Sequence, residues 1–149
     1  MHIEPVPGPE DRETAARAAD RLEIRMWLRL LTCTTLIERE LRSRLNSAFS
    51  TTLPRFDALA QLERAPEGLT MGQLSARMMV SGGNVTGLVD RLVKDGLVER
   101  VLVPGDRRSN IVRLTPDGKA LFNRMAAEHH RSLHRLLTGL DHQVIASLY

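Results

Sequence analysis

The sequence predicts a mainly α fold with one small β-hairpin, an α+β architecture within a single domain. Three observations predict it. Apolar residues recur at helical spacing over most of the 149 residues. Only Leu97 to Leu114 is rich in Val and Ile around a polar turn, which is typical of a hairpin. Directly after it, Thr115-Pro116-Asp117 has the residue order of a helix start.

The N-terminal part predicts a tail followed by a long helix. Residues 1–10 contain three prolines and a glycine and are expected to form a flexible tail. Asp11 to Ser50 contains no Pro or Gly, which permits one long helix or two joined helices. Its apolar residues follow the 3.6-residue period, beginning with Leu22, Met26 and Leu30. A long helix with one apolar stripe packs along another helix or across a dimer interface. Residues 11–50 are therefore predicted to dimerise.

Three shorter helices are predicted next. Pro54 ends the first helix and begins a second one, which runs to Arg64. Thr70 is the expected N-cap of a third helix, Met71 to Met78, and Ser81 that of a fourth, Gly82 to Asp95. Gly96 suits the left-handed residue that ends this helix. The fourth helix presents one apolar face, expected to be buried: Val85, Leu88, Val89 and Leu92.

The remaining chain predicts a wing and two more helices. The hairpin strands are Leu97–Val103 and 110–114, joined by a charged turn over 104–109. A long helix follows Thr115 and ends at Gly139, and Asp141 caps a short last helix. Two short helices, a tight turn and a hairpin make a winged helix-turn-helix, here residues 54–115 with its wing at 97–114. Residues 11–50 and 116–149 would flank it as dimerisation helices, which makes 11–149 one domain.

The charges of the winged segment favour DNA as a partner. The chain has 21 Lys and Arg against 18 Asp and Glu, a net charge of +3. Residues 77–113 alone hold seven basic and four acidic side chains. A helix N-terminus suits a phosphate, Asn and Arg read adenine and guanine, and an arginine-tipped hairpin suits the minor groove. The candidate DNA-binding residues are Arg77, Ser81, Gly82, Gly83, Asn84, Thr86, Arg91, Arg107 and Arg108, with Asp106 orienting the wing.

Three segments in register resemble the MarR family of bacterial transcription regulators. They are the Val85-Thr86-Gly87-Leu88-Val89-Asp90-Arg91-Leu92 run, the wing Asp106-Arg107-Arg108, and Arg113-Leu114-Thr115-Pro116-Asp117-Gly118. The resemblance covers nearly the whole chain after the tail. It implies a homodimer that binds double-stranded DNA at a short pseudo-palindrome, with a small molecule modulating the affinity. The last helix normally helps to hold the dimer together, and here it stops after Tyr149. Either the chain is trimmed or the interface uses more of the first and fifth helices.

The resemblance also implies an effector site near the dimerisation helices. Family effectors are often anionic and aromatic, and some are acyl-CoA thioesters. Arg21, Arg25 and Arg29 lie about one turn apart on the first helix, and Trp27 is the single tryptophan. These four are the candidate effector-binding residues, through guanidinium hydrogen bonds and ring stacking. The alternative is that the arginines form a solvated face and Trp27 belongs to the dimer core.

The other residues with reactive side chains give alternatives but no enzyme. His130 and His134 have a metal-chelating i, i+4 spacing, close to His129, yet surface histidines are the simpler interpretation. Cys33, the single cysteine, is expected to be a small buried hydrophobe rather than a redox sensor. No catalytic grouping, phosphate-binding loop, metal site or cofactor motif is present. We expect a cytoplasmic protein with no membrane contact, and a metal or redox sensor or a protein-interaction module remain the alternatives.

Overall fold

The computed structural model describes the backbone of residues 9–103 and 106–148, and the side chains of 21–102 and 110–148. The chain divides into two compact units, one ending at Arg39 and one beginning at Glu40. Helix α1 (Pro9–Phe49) is one continuous helix, and it begins two residues before the predicted start. No helix in the described ranges is long and apolar enough to cross a membrane.

In the first unit, α1 exposes its whole circumference over residues 21–36. Every side chain from 21 to 36 is exposed, including Trp27, with 60% of its surface accessible, and Leu22, with 66%. Cys33 is exposed as well. The expectation that Cys33 is buried is therefore wrong for the single chain, because no described residue of this unit covers that stretch of helix.

The second unit has helices α2 (Leu53–Glu63), α3 (Met71–Met78), α4 (Gly82–Lys94), α5 (Pro116–Leu137) and α6 (His142–Ser147). Its strands β1 (Leu69–Thr70), β2 (Val98–Val103) and β3 (Asp106–Leu114) form an antiparallel sheet in the order β1-β3-β2. Aromatic residues make up only 3% of the chain, and aliphatic side chains form most of the core. Those with no more than 2% exposure include Leu45, Leu59, Leu62, Leu74, Val85, Val89, Leu92, Val98, Val112 and Met125.

The helix ends confirm the predicted caps. The Thr70 hydroxyl accepts the N–H of Gln73, whose side chain accepts the N–H of Thr70, a reciprocal capping box. Asp141 accepts the N–H of Gln143 at the start of α6. Gly96 follows the end of α4 with a φ of +71°, the left-handed conformation that glycine adopts without a Cβ penalty.

The wing joins α5 through a closed base. The Thr115 hydroxyl donates to the Gly96 carbonyl oxygen (2.7 Å) and accepts the N–H of Gly118 (3.0 Å). The Thr115 N–H donates to the Leu97 carbonyl oxygen (3.1 Å). A Cβ on buried Gly118 would overlap that same oxygen, so only glycine allows α5 to begin this close to the wing.

Three local predictions need correction. Strand β1, which pairs Leu69 with Val112, was not predicted because two residues carry no periodic signal. Strand β3 begins at Asp106, so the connection between the strands is shorter than the predicted turn over 104–109. Leu88 is only half-buried, unlike Val85 and Val89, which are fully buried.

Candidate nucleic-acid interface

The turn between α3 and α4 sets the position of the fourth helix. Met79 ends α3 in the left-handed conformation, with φ of +54°. The Ser75 hydroxyl donates to the Val80 carbonyl oxygen (2.6 Å), and the Val80 N–H donates to the Ser75 carbonyl oxygen (3.2 Å). These two hydrogen bonds fix the turn and hold Ser81 at the start of α4.

The N-terminus of α4 is open to an anion. Ser81 is the N-cap residue, as predicted, but its side chain makes no capping hydrogen bond. Its carbonyl oxygen accepts the N–H groups of Asn84 (3.1 Å) and Val85 (3.2 Å). Ser81, Gly82 and Gly83 are all exposed. Uncapped N–H groups at a helix N-terminus, with the positive end of the helix dipole, suit a phosphate oxygen.

The predicted base-reading residues lie on two flanks of α4. At about 100° per residue, Asn84, Leu88 and Arg91 share one flank of the helix. Thr86 lies on the other flank, where its side chain is exposed and its hydroxyl donates to the Gly82 carbonyl oxygen (3.0 Å). The outer face between the flanks contains Gly83, Gly87, Asp90 and Lys94. Of the predicted DNA-binding residues, Asn84 and Arg91 therefore lie on one side of α4 and Thr86 on the other.

Exposed cations surround this helix. Arg77 is exposed in the last turn of α3, and Arg91 and Lys94 are exposed in the last turns of α4. Among the described side chains these three form no ion pair, whereas Asp90 pairs with Arg100 (2.5 Å) and Glu99 with Arg113 (2.6 Å). The acids of this face are thus largely neutralised.

The Asp90–Arg100 pair ties α4 to the wing, and sequence analysis missed it. Arg100 lies on β2, ten residues beyond Asp90, and no local spacing rule joins a helix residue to a strand residue. Glu99 and Arg113 are direct cross-strand partners in the register of β2 and β3, which stiffens the ribbon. Helix and wing are therefore connected by charge-assisted hydrogen bonds.

The wing residues predicted to enter the minor groove belong to β3. Arg107 and Arg108 follow Asp106, the first residue of that strand, instead of occupying a loop. The side chains of 106–109 lie outside the described residues, so the orienting role of Asp106 stays a prediction. The two arginines thus lie at the beginning of β3, next to the hairpin connection and not within the predicted turn, and their contact with DNA stays a prediction.

A cavity of about 1030 Å³ borders the flank of α4 that carries Asn84 and Arg91. Arg42, Arg55 and Arg91 supply cationic groups, and Arg55 pairs with Asp95 (2.5 Å). The remaining lining side chains are polar or apolar: Ser43, Asn46, Ser50, Thr51, Thr52, Leu53, Pro54, Met78, Val80, Asn84 and Leu88. This cavity could not be predicted from the sequence. Each of α1, α2, α3 and α4 contributes only one or a few lining residues, which leave no pattern in the sequence.

The predicted effector residues lie in the other unit. Arg21, Arg25, Trp27 and Arg29 are exposed on α1. The three arginines form one stripe, but Trp27 lies about 120–160° around the helix from each of them. Within α1 the structure therefore does not bring the ring and the guanidinium groups together.

The histidines line a second cavity, of about 540 Å³, between α5 and α6. His129 stacks on Phe56 with ring centroids 4.6 Å apart, and burial, aided by the charge of His130, lowers the pKa of His129. No group of three or more His, Cys, Asp or Glu in the described ranges is placed to hold a metal ion. The remaining lining is mostly apolar, with His130, His134 and His142 among Leu133, Leu137, Leu140 and Ile145.

Known proteins are similar to this chain in sequence and in architecture. A MarR family model matches residues 49–109. The HTH-type transcriptional regulator PecS of Dickeya dadantii is 36% identical over 110 residues, which cover 72% of this chain and 66% of that protein. A MarR family transcriptional regulator from Silicibacter pomeroyi matches with a TM-score of 0.72 and 35% identity, covering 87% of this chain and 89% of that one. A mutant of E. coli MarR complexed with operator DNA matches with a TM-score of 0.74 and 29% identity, covering 85% and 90%.

Proposed function

Because this chain belongs to the MarR family of DNA-binding transcriptional regulators, which are not enzymes, we propose that it is a cytoplasmic homodimeric repressor. Two copies would bind a pseudo-palindromic operator. A small anionic aromatic compound, or its acyl-CoA thioester, would release them. The observation that carries the DNA part is the uncapped, exposed N-terminus of α4, held to the wing by the Asp90–Arg100 pair. A helix enters the major groove while a ribbon reaches the neighbouring groove.

The DNA proposal is tested by selecting duplexes from a random pool with the purified protein. We expect a two-fold related sequence to emerge and to bind in a gel shift. Arg91→Ala should weaken this binding, whereas Arg124→Ala, a change at an exposed arginine on α5, should not. Failure to enrich any duplex would favour a winged-helix module that binds proteins instead.

The proposed dimer is supported by exposed apolar side chains. On α1 these include Leu22, Met26 and Leu30, each more than half exposed in the single chain. Around α6 they include Leu140 at 46% and Leu148 at 80%. Contiguous exposed apolar surface marks a protein interface more often than it marks free surface. A second copy of this chain is the partner that would cover both.

The proposed effector site is the cavity beside α4. Arg42, Arg55 and Arg91 would bind a carboxylate or phosphate, and Leu53, Met78, Val80 and Leu88 would contact an aromatic ring. The alternative site is the predicted set on α1. Titration calorimetry with benzoate distinguishes them: Arg91→Ala should abolish binding in the first case, and Arg25→Ala, Arg29→Ala or Trp27→Ala in the second.

A further inference from the structure

We propose that the Arg55–Asp95 ion pair couples the cavity to DNA binding. An anion that enters the cavity competes with Asp95 for the Arg55 guanidinium and so weakens the polar contact between the C-terminal end of α4 and α2. This inference rests on the proposed function, in which α4 reads DNA and the cavity takes an anionic effector. It goes beyond that function by naming the contact through which one event affects the other.

The pair joins two elements that are distant in the chain. Arg55 lies in the first turn of α2, and its Nη2 donates to Oδ2 of Asp95 at 2.5 Å, across 40 residues of sequence. Asp95 is the C-cap residue of α4, and its own N–H donates to the carbonyl oxygens of Arg91 and Val93. A displacement of the Asp95 carboxylate is therefore passed to the last turn of α4.

The two partners face different surroundings. Arg55 is the less accessible one, with 21% of its side chain exposed, and it lines the cavity together with Arg91. Asp95 is 47% exposed and is not among the cavity-lining residues. Arg55 thus borders the cavity and also binds the residue that ends α4.

Each charge is unfavourable for its own helix. Arg55 is a cation beside the free N–H groups at the start of α2, a turn that contains no acidic residue. Asp95 is an anion beside the free carbonyl groups at the end of α4. Neither residue is placed to stabilise its helix alone, and the ion pair offsets both effects. This arrangement favours a coupling role over a purely local one.

An aromatic carboxylate in the cavity weakens the pair in two ways. Its oxygens take guanidinium N–H groups of Arg55, which supplies five in one plane. Its negative charge also repels the Asp95 carboxylate across the shared cation. When the Arg55–Asp95 contact is weakened, α4 keeps its apolar face in the core and remains tied to the wing through Asp90 and Arg100. Helix and wing then change position together relative to α2, which lowers the affinity for DNA.

The test measures two affinities on the same variants, one for the selected duplex and one for benzoate. Benzamide, which has no charge, is the control ligand. Wild type should lose DNA affinity in benzoate but not in benzamide. D95N should bind DNA about tenfold more weakly without benzoate, lose little more when it is added, and bind benzoate more tightly. D95E should restore the wild-type pattern. E40Q, which breaks the exposed Arg44–Glu40 pair on α1, should match wild type throughout.

The exchanged pair R55D/D95R separates coupling from folding. It restores the salt bridge and should recover DNA binding relative to R55D, yet it should not respond to benzoate, because the cavity keeps Arg42 and Arg91 but has lost the one cation that also binds the end of α4. If D95N binds benzoate as wild type does and responds fully, the competition is overturned while the proposed function stands. If wild type binds the selected duplex but not benzoate, both the effector site and this inference fail. If no duplex is selected, the DNA-binding premise itself fails.

Discussion

Gly118 shows how one missing methyl group permits a close approach of backbones. Gly118 is buried, and a side chain there would overlap the Leu97 carbonyl oxygen, which is a fixed backbone atom. Gly118→Ala should lower the free energy of unfolding by about 1–3 kcal/mol, the usual effect of overpacking. Gly72→Ala is the matched control, because no atom lies within 4 Å of its Cβ position. Urea denaturation of both variants checks the difference, and equal stabilities would contradict it.

His129 should make the stability of the fold depend on pH. Burial lowers its pKa below the ordinary value of 6.5, so the unfolded chain takes up a proton more readily than the folded one. Its contribution is complete above pH 6.5 and is lost as the pH falls from there through the folded pKa. Wild type should therefore lose more stability between pH 7 and pH 5 than His129→Phe, which keeps a ring against Phe56.

Chemical denaturation at both pH values measures the loss. Glu128 does not obscure the result, because the hydrogen bond from Arg131 lowers its pKa below 4.5, outside this window. The other histidines are common to both proteins. An identical loss in the two proteins would assign the acid sensitivity to other groups.

At the scale of the element, α4 contains a glycine that lowers its stability and that we expect to favour its function. Gly87 is inside the helix on the outer face, and no atom lies within 4 Å of its Cβ position. Gly87→Ala should raise the free energy of unfolding by about 0.5–1 kcal/mol, because alanine loses less conformational freedom in a helix. The same methyl group enters the face that we expect to meet DNA, so DNA affinity should fall. Denaturation and gel-shift titration on one preparation check that the free energy of unfolding rises while the DNA affinity falls.

The elements were predictable where a local signal exists. Thr70, Ser81, Gly96, Thr115 and Asp141 mark helix boundaries through side-chain or backbone chemistry that acts within a few residues, and each boundary was predicted within about two residues.

Features that depend on distant partners were not predictable from the sequence. The two residues of β1 form a strand because they pair with β3. The polar beginning of β3 is extended because it pairs with β2. The pairs Asp90–Arg100 and Arg55–Asp95 depend on tertiary distance, and so does the cavity. Leu88 follows the apolar period of α4 but faces that cavity rather than the core.

At the scale of the whole molecule, DNA binding should be strongly salt-dependent. Asp90, Asp95 and Glu99 are each paired with an arginine, whereas Arg77, Arg91 and Lys94 form no ion pair among the described side chains, which leaves these three cations for phosphates. A dimer that uses all three in each copy should show a log–log slope of about −5 or steeper, at about 0.9 per phosphate. Arg91→Ala should reduce the slope by about 2. Fluorescence anisotropy over a range of salt concentrations measures it, and a flat titration would contradict ionic recognition.

The assembly state gives a second test at this scale. Leu22, Met26 and Leu30 are exposed in the single chain, which is costly for apolar side chains unless a partner covers them. Wild type should sediment as a dimer, and Met26→Glu combined with Leu30→Glu should shift it towards monomer and weaken operator binding. Arg39→Glu, with its similar added charge, serves as the control. A monomeric wild type would contradict the two-fold arrangement.

The closed base of the wing limits how far local unfolding of the hairpin can spread. Thr115 connects Gly96, which follows the C-cap of α4, with the first turn of α5 and with Leu97 at the base of the hairpin, through one hydroxyl and one amide. Fraying that starts at the far end of the ribbon must therefore stop at this junction unless the whole unit unfolds. Hydrogen–deuterium exchange should reveal a steep gradient of protection, with amides near 102 and 110 exchanging early and those near 98 and 114 exchanging with the global unfolding reaction. Thr115→Val, which keeps the shape but loses the hydroxyl, should flatten that gradient.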